Sequence, residues 1–371
     1  MAYKVPFVDY PKHYHNMESE IDAAIKEVLS KGDLILREHL RQFEKNIASY
    51  LGMTYAIGVN SGTDALYLSL LAAGIGPGDE VITVSHTFLA TVGAIVNCRA
   101  RPILVDVGKD YNMDVNLIEA VITPQTRAIL PVYLNGRLCD MDRIMAIAEK
   151  HNLIVIEDAA QALGATFGGK KAGSFGLTGC FSFYPAKILG TAGDGGLVAT
   201  NDEEIARKLR GLRDNGRVDW QSEVIGYGFN SRLDNLHAAI LNVKLKFVPQ
   251  WITRRREIAT LYHNGLSGLD EVQLPPLPQT DGHYYDVFQN YVVRTKRRDE
   301  LVGHLAENGI ETLISWTIPM HHQKALNLGH FKLPETEAIS REVLSLPMYP
   351  ELSDEQVEFV IESVRSFYEA K

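Results

Sequence analysis

Leu153-Ile154-Val155-Ile156-Glu157-Asp158-Ala159-Ala160-Gln161 decides the fold. Its first four residues form an unbroken apolar run, as expected of a strand covered on both faces, and two carboxylates end it abruptly. Working outward, similar short runs recur at residues 55–60, 80–85, 102–107, 128–133, 180–184 and 196–200. Stretches of helical period separate them at 64–73, 89–96, 141–150 and 203–212. Such alternation predicts an α/β domain built on a mostly parallel sheet of seven strands. A carboxylate ending a buried strand then lies at the sheet edge where open α/β folds present ligand sites.

The flanks complete the layout. Ile21, Ala24, Ile25 and Val28 mark an amphipathic helix over 17–29. A long helical region over 236–266 leads out of the large unit. Beyond it a smaller α+β unit is expected, with a strand at 291–294, a helix at 298–308 and a closing helix at 354–368. Ser353 and Gln356 form a capping-box pattern at the start of that last helix. The chain thus divides into a large domain, 1–248, and a small C-terminal domain, 249–371.

Composition narrows the function classes. The 371 residues are 46% hydrophobic and 22% charged, the balance of an ordinary globular protein, and the net charge of −9 gives no basic surface for nucleic acid or an anionic membrane. Neither a signal peptide nor a membrane-spanning run is legible, and Cys98, Cys139 and Cys180 are too far apart for a disulfide frame or zinc site. The expected location is cytoplasmic. Gly74-Ile75-Gly76-Pro77-Gly78 follows a helix and precedes a strand, the reverse of a dinucleotide fingerprint. His321-His322 and His13-Tyr14-His15 lack further ligands at informative spacing, so no metal is expected.

Two segments carry the chemistry. Lys187 lies in Phe181-Ser182-Phe183-Tyr184-Pro185-Ala186-Lys187-Ile188-Leu189-Gly190, ahead of Gly193-Asp194-Gly195-Gly196. A lysine amine forms a Schiff base with an aldehyde, and a carboxylate keeps a pyridine nitrogen protonated. Lys187 and Asp158 together therefore suit the two ends of pyridoxal 5'-phosphate. Each residue also has a plainer reading: Asp158 as the cap of the following turn, Lys187 as a solvated charge. Gln161 is placed to meet the ring hydroxyl or to face solvent. The amides of Gly62 and Thr63, in Asn60-Ser61-Gly62-Thr63, open a helix where phosphate binds, although Ser61 can simply cap it. Ser182 can add a hydroxyl there. Phe88 can stack on the ring or serve as core.

The ensemble resembles the DegT/StrS-type nucleotide-sugar aminotransferases. The resemblance runs nearly end to end, through Asn60–Leu66, Gly76–Ile82, Glu157–Gln161, the Lys187 segment, Asn230-Ser231-Arg232-Leu233-Asp234 and Leu344–Met348. It implies an aspartate-aminotransferase-like (fold type I) enzyme and a homodimer with shared active sites. Asn230 would reach the phosphate of the partner subunit's cofactor, with Arg232 and His321 as substrate contacts. The implied reaction is ping-pong through a Lys187 aldimine. L-glutamate leaves its amine as pyridoxamine phosphate, and a nucleotide-linked keto-sugar takes it, with the C3 position slightly favoured. Relatives that replace this lysine with histidine dehydrate sugars, so Lys187 favours amino transfer. The alternatives are such a dehydratase or a non-catalytic pyridoxal-phosphate-binding regulatory protein. The segments Leu134-Asn135-Gly136 and Ser315-Trp316-Thr317 depart from the family pattern where the sugar pocket is usually shaped.

Overall fold

A computed structural model describes residues 3–219, 221, 223–279 and 282–369. Met1 and Ala2, part of the start read above as lacking a signal peptide, lie outside them, as do the last two residues of the expected small domain.

The large sheet is assembled from β1 (Tyr55–Val59), β2 (Glu80–Val84), β3 (Arg101–Val105), β4 (Thr126–Ile129), β5 (Ile154–Asp158), and two later strands. Short β6 (Thr166–Phe167) and β7 (Lys170–Lys171) intervene before β8 (Thr178–Ser182) and β9 (Gly196–Thr200). The order across the sheet is β1-β9-β8-β5-β4-β2-β3. All seven expected strands form, and the sheet is mostly parallel. The reason is composition: β2 and β9 are buried at every position, and β5 at all but its first.

One strand runs backwards. β9 pairs antiparallel with both β8 and β1, with Ser182 opposite Gly196 and Val59 opposite the same Gly196. The C-terminal ends of β1, β5 and β8 and the first residue of β9 therefore meet at one sheet edge. Helices Gly62–Ala72, Leu89–Asn97, Met141–His151 and Glu203–Arg213 fill the connections.

The long helical region is two helices, Asn235–Leu245 and Val248–Leu266. They part at Lys246-Phe247 because Pro249, at the start of the second, has no N–H to continue the first. β10 (Tyr284–Tyr285) joins β6; β11 (Tyr291–Arg294) pairs antiparallel with β12 (Val343–Leu346). The closing helix spans Asp354–Glu369, and its capping box forms: Ser353 N–H donates to Gln356 Oε1 at 3.1 Å and Gln356 N–H to Ser353 Oγ at 3.2 Å. Buried apolar side chains gather in one large cluster around the seven strands and a second around Tyr262, Tyr291, Val293, Leu301 and Val360. No helix among the described residues is long and apolar enough to cross a membrane.

Candidate active site

The acidic pair ending β5 splits into two jobs. Glu157 is completely buried and accepts N–H groups from Gly173, Phe175 and Gly176, each at 2.7 Å, plus the Tyr133 hydroxyl at 2.6 Å. Its acceptor capacity is spent on the fold. Asp158, also buried, receives less: Thr91 Oγ1 donates to Oδ2 at 2.8 Å and the Ala160 N–H to Oδ1 at 3.2 Å. Burial pushes the Asp158 carboxyl up, while those donors and the Lys187 charge pull it back down. Its backbone is fixed on both sides, its N–H to Pro131 O at 2.9 Å and its carbonyl from Tyr133 N–H at 3.0 Å. A carboxylate so held, with acceptor capacity left, suits a protonated pyridine nitrogen.

Thr91 was not visible as a functional residue in the sequence. It sits in the first turn of the helix Leu89–Asn97, and its hydroxyl lies 2.7 Å from that of Thr87. The only local hint was two threonines four apart, which share a face only if the helix extends back to include both.

Lys187 lies in the loop between β8 and β9. Turn bonds shape that loop: Lys187 N–H to Tyr184 O and Thr191 N–H to Phe183 O, both 2.8 Å. Gly190 is obligatory, since a β-carbon there would clash with the Pro185 carbonyl oxygen. Lys244, itself buried, donates to Gly190 O at 2.8 Å and closes the loop from behind. The Lys187 side chain keeps some exposed surface, yet its amine is enclosed. Burial pulls it down to about 8, opposed by attraction to Asp158. Among the described residues the amine has neither a hydrogen-bond partner nor an ion pair within bonding distance. A sizeable neutral fraction near neutral pH makes it a competent nucleophile and base.

The anion cradle is built from the ends of β1 and β8. Ser61 caps the helix Gly62–Ala72 by accepting the Asp64 N–H at 3.1 Å. The Gly62 and Thr63 amides find no acceptor among the described residues, so the first two donors of an eleven-residue helix stay open. Gly62 presses on Ser182, where an added β-carbon would approach the serine Cβ to 2.8 Å, and Gly196 presses closer still on the Ser61 carbonyl. Among the described residues Ser182 Oγ accepts only the Tyr184 N–H at 3.3 Å, leaving its own hydrogen free for an anion. Both readings of Ser61 and its neighbours hold together: capping by the serine is what leaves the two amides free.

Gln161 is half-buried. Its Oε1 accepts the Asn135 N–H at 2.8 Å, which orients its amide nitrogen as a spare donor. Phe88 is 61% exposed and, with Thr63, lines a groove of about 480 Å³ whose far side includes Leu326 and Leu328. It is therefore not core. Pyridoxal phosphate fits this set on structural grounds: open amides for phosphate, a spare donor, a carboxylate and an enclosed, unpaired amine.

The remaining three residues stand differently. Asn230 is exposed and its side chain has no partner among the described residues. Ser231 beside it ties the segment to the cradle helix, Oγ donating to Asp64 Oδ2 at 2.6 Å. Arg232 is ion-paired to Asp214 at 2.9 Å. His321 has a fully buried side chain. Ser85 Oγ lies 2.7 Å from its Nδ1 and accepts its backbone N–H at 3.1 Å. That Nε2 faces Glu337 at 3.5 Å. Glu337 thus joins His321 and His322 within 4.8 Å, a trio that sequence spacing concealed.

Known proteins carry the same frame. Residues 15–365 match the model of the DegT/DnrJ/EryC1/StrS aminotransferase family. A Geobacillus stearothermophilus relative called a pleiotropic regulatory protein is 42% identical, with 98% of each chain covered. A Streptomyces venezuelae dTDP-3-amino-3,4,6-trideoxy-alpha-D-glucose transaminase is 43% identical, covering 99% of this chain and 97% of its own. Among solved structures, S. venezuelae DesV in complex with a ketimine intermediate superposes with a TM-score of 0.95 at 42% identity, over 100% of this chain and 99% of that one. Bacillus subtilis NtdA with bound cofactor PMP superposes at 0.92 with 33% identity, over 100% and 86%. The chain belongs to the DegT/DnrJ/EryC1/StrS aminotransferase family and is a pyridoxal-phosphate-dependent aminotransferase.

Proposed function

We propose that this enzyme moves an amino group from L-glutamate to the keto carbon of a nucleotide-linked sugar, with C3 the favoured position. One observation carries the site reading: an enclosed amine and a buried carboxylate share a site with an open helix N-terminus. When bound, pyridoxal phosphate supplies an electron sink for the carbanion left as the amino acid loses its α-proton. The chain's own residues do the rest. Asp158 holds the ring nitrogen's proton by its charge, and Thr91 aims that carboxylate. The Gly62 and Thr63 amides and the Ser182 hydroxyl bind the phosphate, Gln161 meets the ring hydroxyl, and Phe88 covers the ring face. Lys187 is the attachment point and the base that carries the proton.

The sugar assignment rests on relatives. The S. venezuelae transaminase is named for a dTDP-linked 3-amino sugar, and an Acidithiobacillus ferrooxidans relative for a UDP-linked 3-dehydro sugar. We also assign Asn230 to the phosphate of a partner subunit's cofactor in a homodimer, Arg232 and His321 to the substrate side, the division at 248/249 to two domains, and the cytoplasm as the site of action. His321 needs the loop carrying it to open before it can touch a sugar, because its side chain is sealed in this conformation.

The test is incubation with glutamate and a panel of UDP-, dTDP- and GDP-linked 3-keto and 4-keto sugars, read by product mass. An aminated 3-keto sugar supports the full reading. Amination of 4-keto sugars alone removes the C3 preference, and no aminated product from any removes the sugar assignment. The glutamate donor has its own check: loss of the yellow absorbance when glutamate is added supports it, and an unchanged absorbance with glutamate removes that donor.

A further inference from the structure

Gln289 touches the Lys187 loop from the C-terminal part of the chain. It lies between β10 and β11 and is 7% exposed. Its Nε2 donates to the Ala186 carbonyl at 2.7 Å, and its Oε1 accepts the Ile188 N–H at 3.0 Å. One side-chain amide therefore grips the backbone on both sides of Lys187. The pattern assigns its own orientation, since the nitrogen must donate and the oxygen must accept.

The same residue is held from behind. Its backbone N–H donates to Asn135 O at 2.9 Å, and the Asn135 N–H is the group that fixes Gln161 Oε1. Its carbonyl accepts Arg255 Nη1 at 3.2 Å, a buried guanidinium that also takes the Phe288 and Met348 carbonyls. Gly136 packs so tightly on this strip that a β-carbon would stand 3.0 Å from the Phe288 and Gln289 nitrogens. Lys187 and Gln161 thus share one support: Gln289 bonds directly to the residues on both sides of the lysine and reaches Gln161 through two hydrogen bonds by way of Asn135.

We propose that Gln289 is a positioning residue: it sets the backbone at Lys187 and, through Asn135, keeps that lysine in register with Gln161. A side chain with both a donor and an acceptor is required. Glutamate keeps only the acceptor, and methionine keeps the length with neither. The inference rests on Lys187 as the cofactor attachment point and Gln161 as a cofactor contact.

Borohydride trapping and peptide mapping of the wild-type holoenzyme come first; an adduct elsewhere than Lys187 overturns that underlying reading. Gln289→Met and Gln289→Glu holoenzymes are then compared by hydrogen exchange of the 185–191 segment, by the pH midpoint of the yellow absorbance, and by kcat and KM. In Gln289→Met the Ile188 amide exchanges about tenfold faster, the midpoint shifts, and kcat falls on the order of 10²-fold with glutamate KM little changed. Gln289→Glu restores protection at Ile188 but not full kcat, and it carries the test alone should the methionine variant fail to fold. Wild-type exchange, midpoint and kcat in the variants, or a lowered melting temperature with all three unmoved, overturns the proposal while leaving the Lys187 adduct intact.

Discussion

The floor of the site and the segment beside it, residues 214–232, solve opposite problems. On the floor, Asp158, Gly190 and the Lys187 backbone are held by bonds from the segment after β4, the helix Asn235–Leu245 and the strip before β11, all within one chain. The neighbouring segment is tied down at Asp214 and Ser231. Between those ties it leaves Val224, Ile225 and Tyr227 exposed, Tyr227 fully so. One region is finished inside a single chain. The other leaves apolar area exposed, where the homodimer proposed above would seat its second copy. Chemistry that depends on sub-ångström placement lies where the fold is closed, and the proposed partner would complete the site from the open side.

The comparison breaks first at Lys187. Lys187→Ala should lower kcat on the order of 10⁴-fold, because both attachment and proton transfer are lost; steady-state assays with retained folding by circular dichroism check it. Next, the paired acids should part company. Asp158→Asn should cost activity on the order of 10²–10³-fold with little loss of stability. Glu157→Gln, which strands buried N–H donors, should instead lower the melting temperature, at about 3 kcal/mol or more. Equal stability losses in the two variants would erase the distinction drawn between them.

Smaller effects sharpen the open side. Tyr227→Glu should raise the monomer fraction in sedimentation velocity, and Asn230→Ala should weaken cofactor retention roughly tenfold with kcat nearly unchanged. An unaltered dimer with Tyr227→Glu would take that segment out of the interface. The smallest signal is a pH profile. Burial favours the neutral amine of Lys187, so in cofactor-free protein its condensation with pyridoxal phosphate should accelerate as pH rises through about 8, not 10.5. A midpoint near 10 would mean the amine is solvated.

Much of the floor was readable in the sequence because its signals are local. Asp158 ends its own apolar run, Lys187 stands among its own glycines, and Gly62-Thr63 opens its own helix. Thr91 and Gln289 were invisible for the complementary reason: they act 67 and about a hundred positions away from the residues they serve. The same limit hid Glu337 beside His321 and Asp214 beside Arg232. Within the fold, burial on both faces announced all seven strands but not their directions, since an apolar run reads alike in either sense. The 236–266 region read as one helix because Pro249 is tolerated in a first turn, so its presence did not by itself mark where that turn began.

The reversal of β9 has a consequence for how such an enzyme can vary. A parallel neighbour for β8 would demand a crossover that leaves and re-enters the sheet from the opposite end. Running backwards, β9 turns the intervening loop into a tether pinned at both ends, at Ser182 and Gly196, on the same rim as Asp158 and the open amides. The tether can be redecorated at Tyr184 or Ala192, both exposed, while its anchors hold the Lys187 segment in place. Substrate range can thus drift at the rim without the reactive nitrogen losing its place.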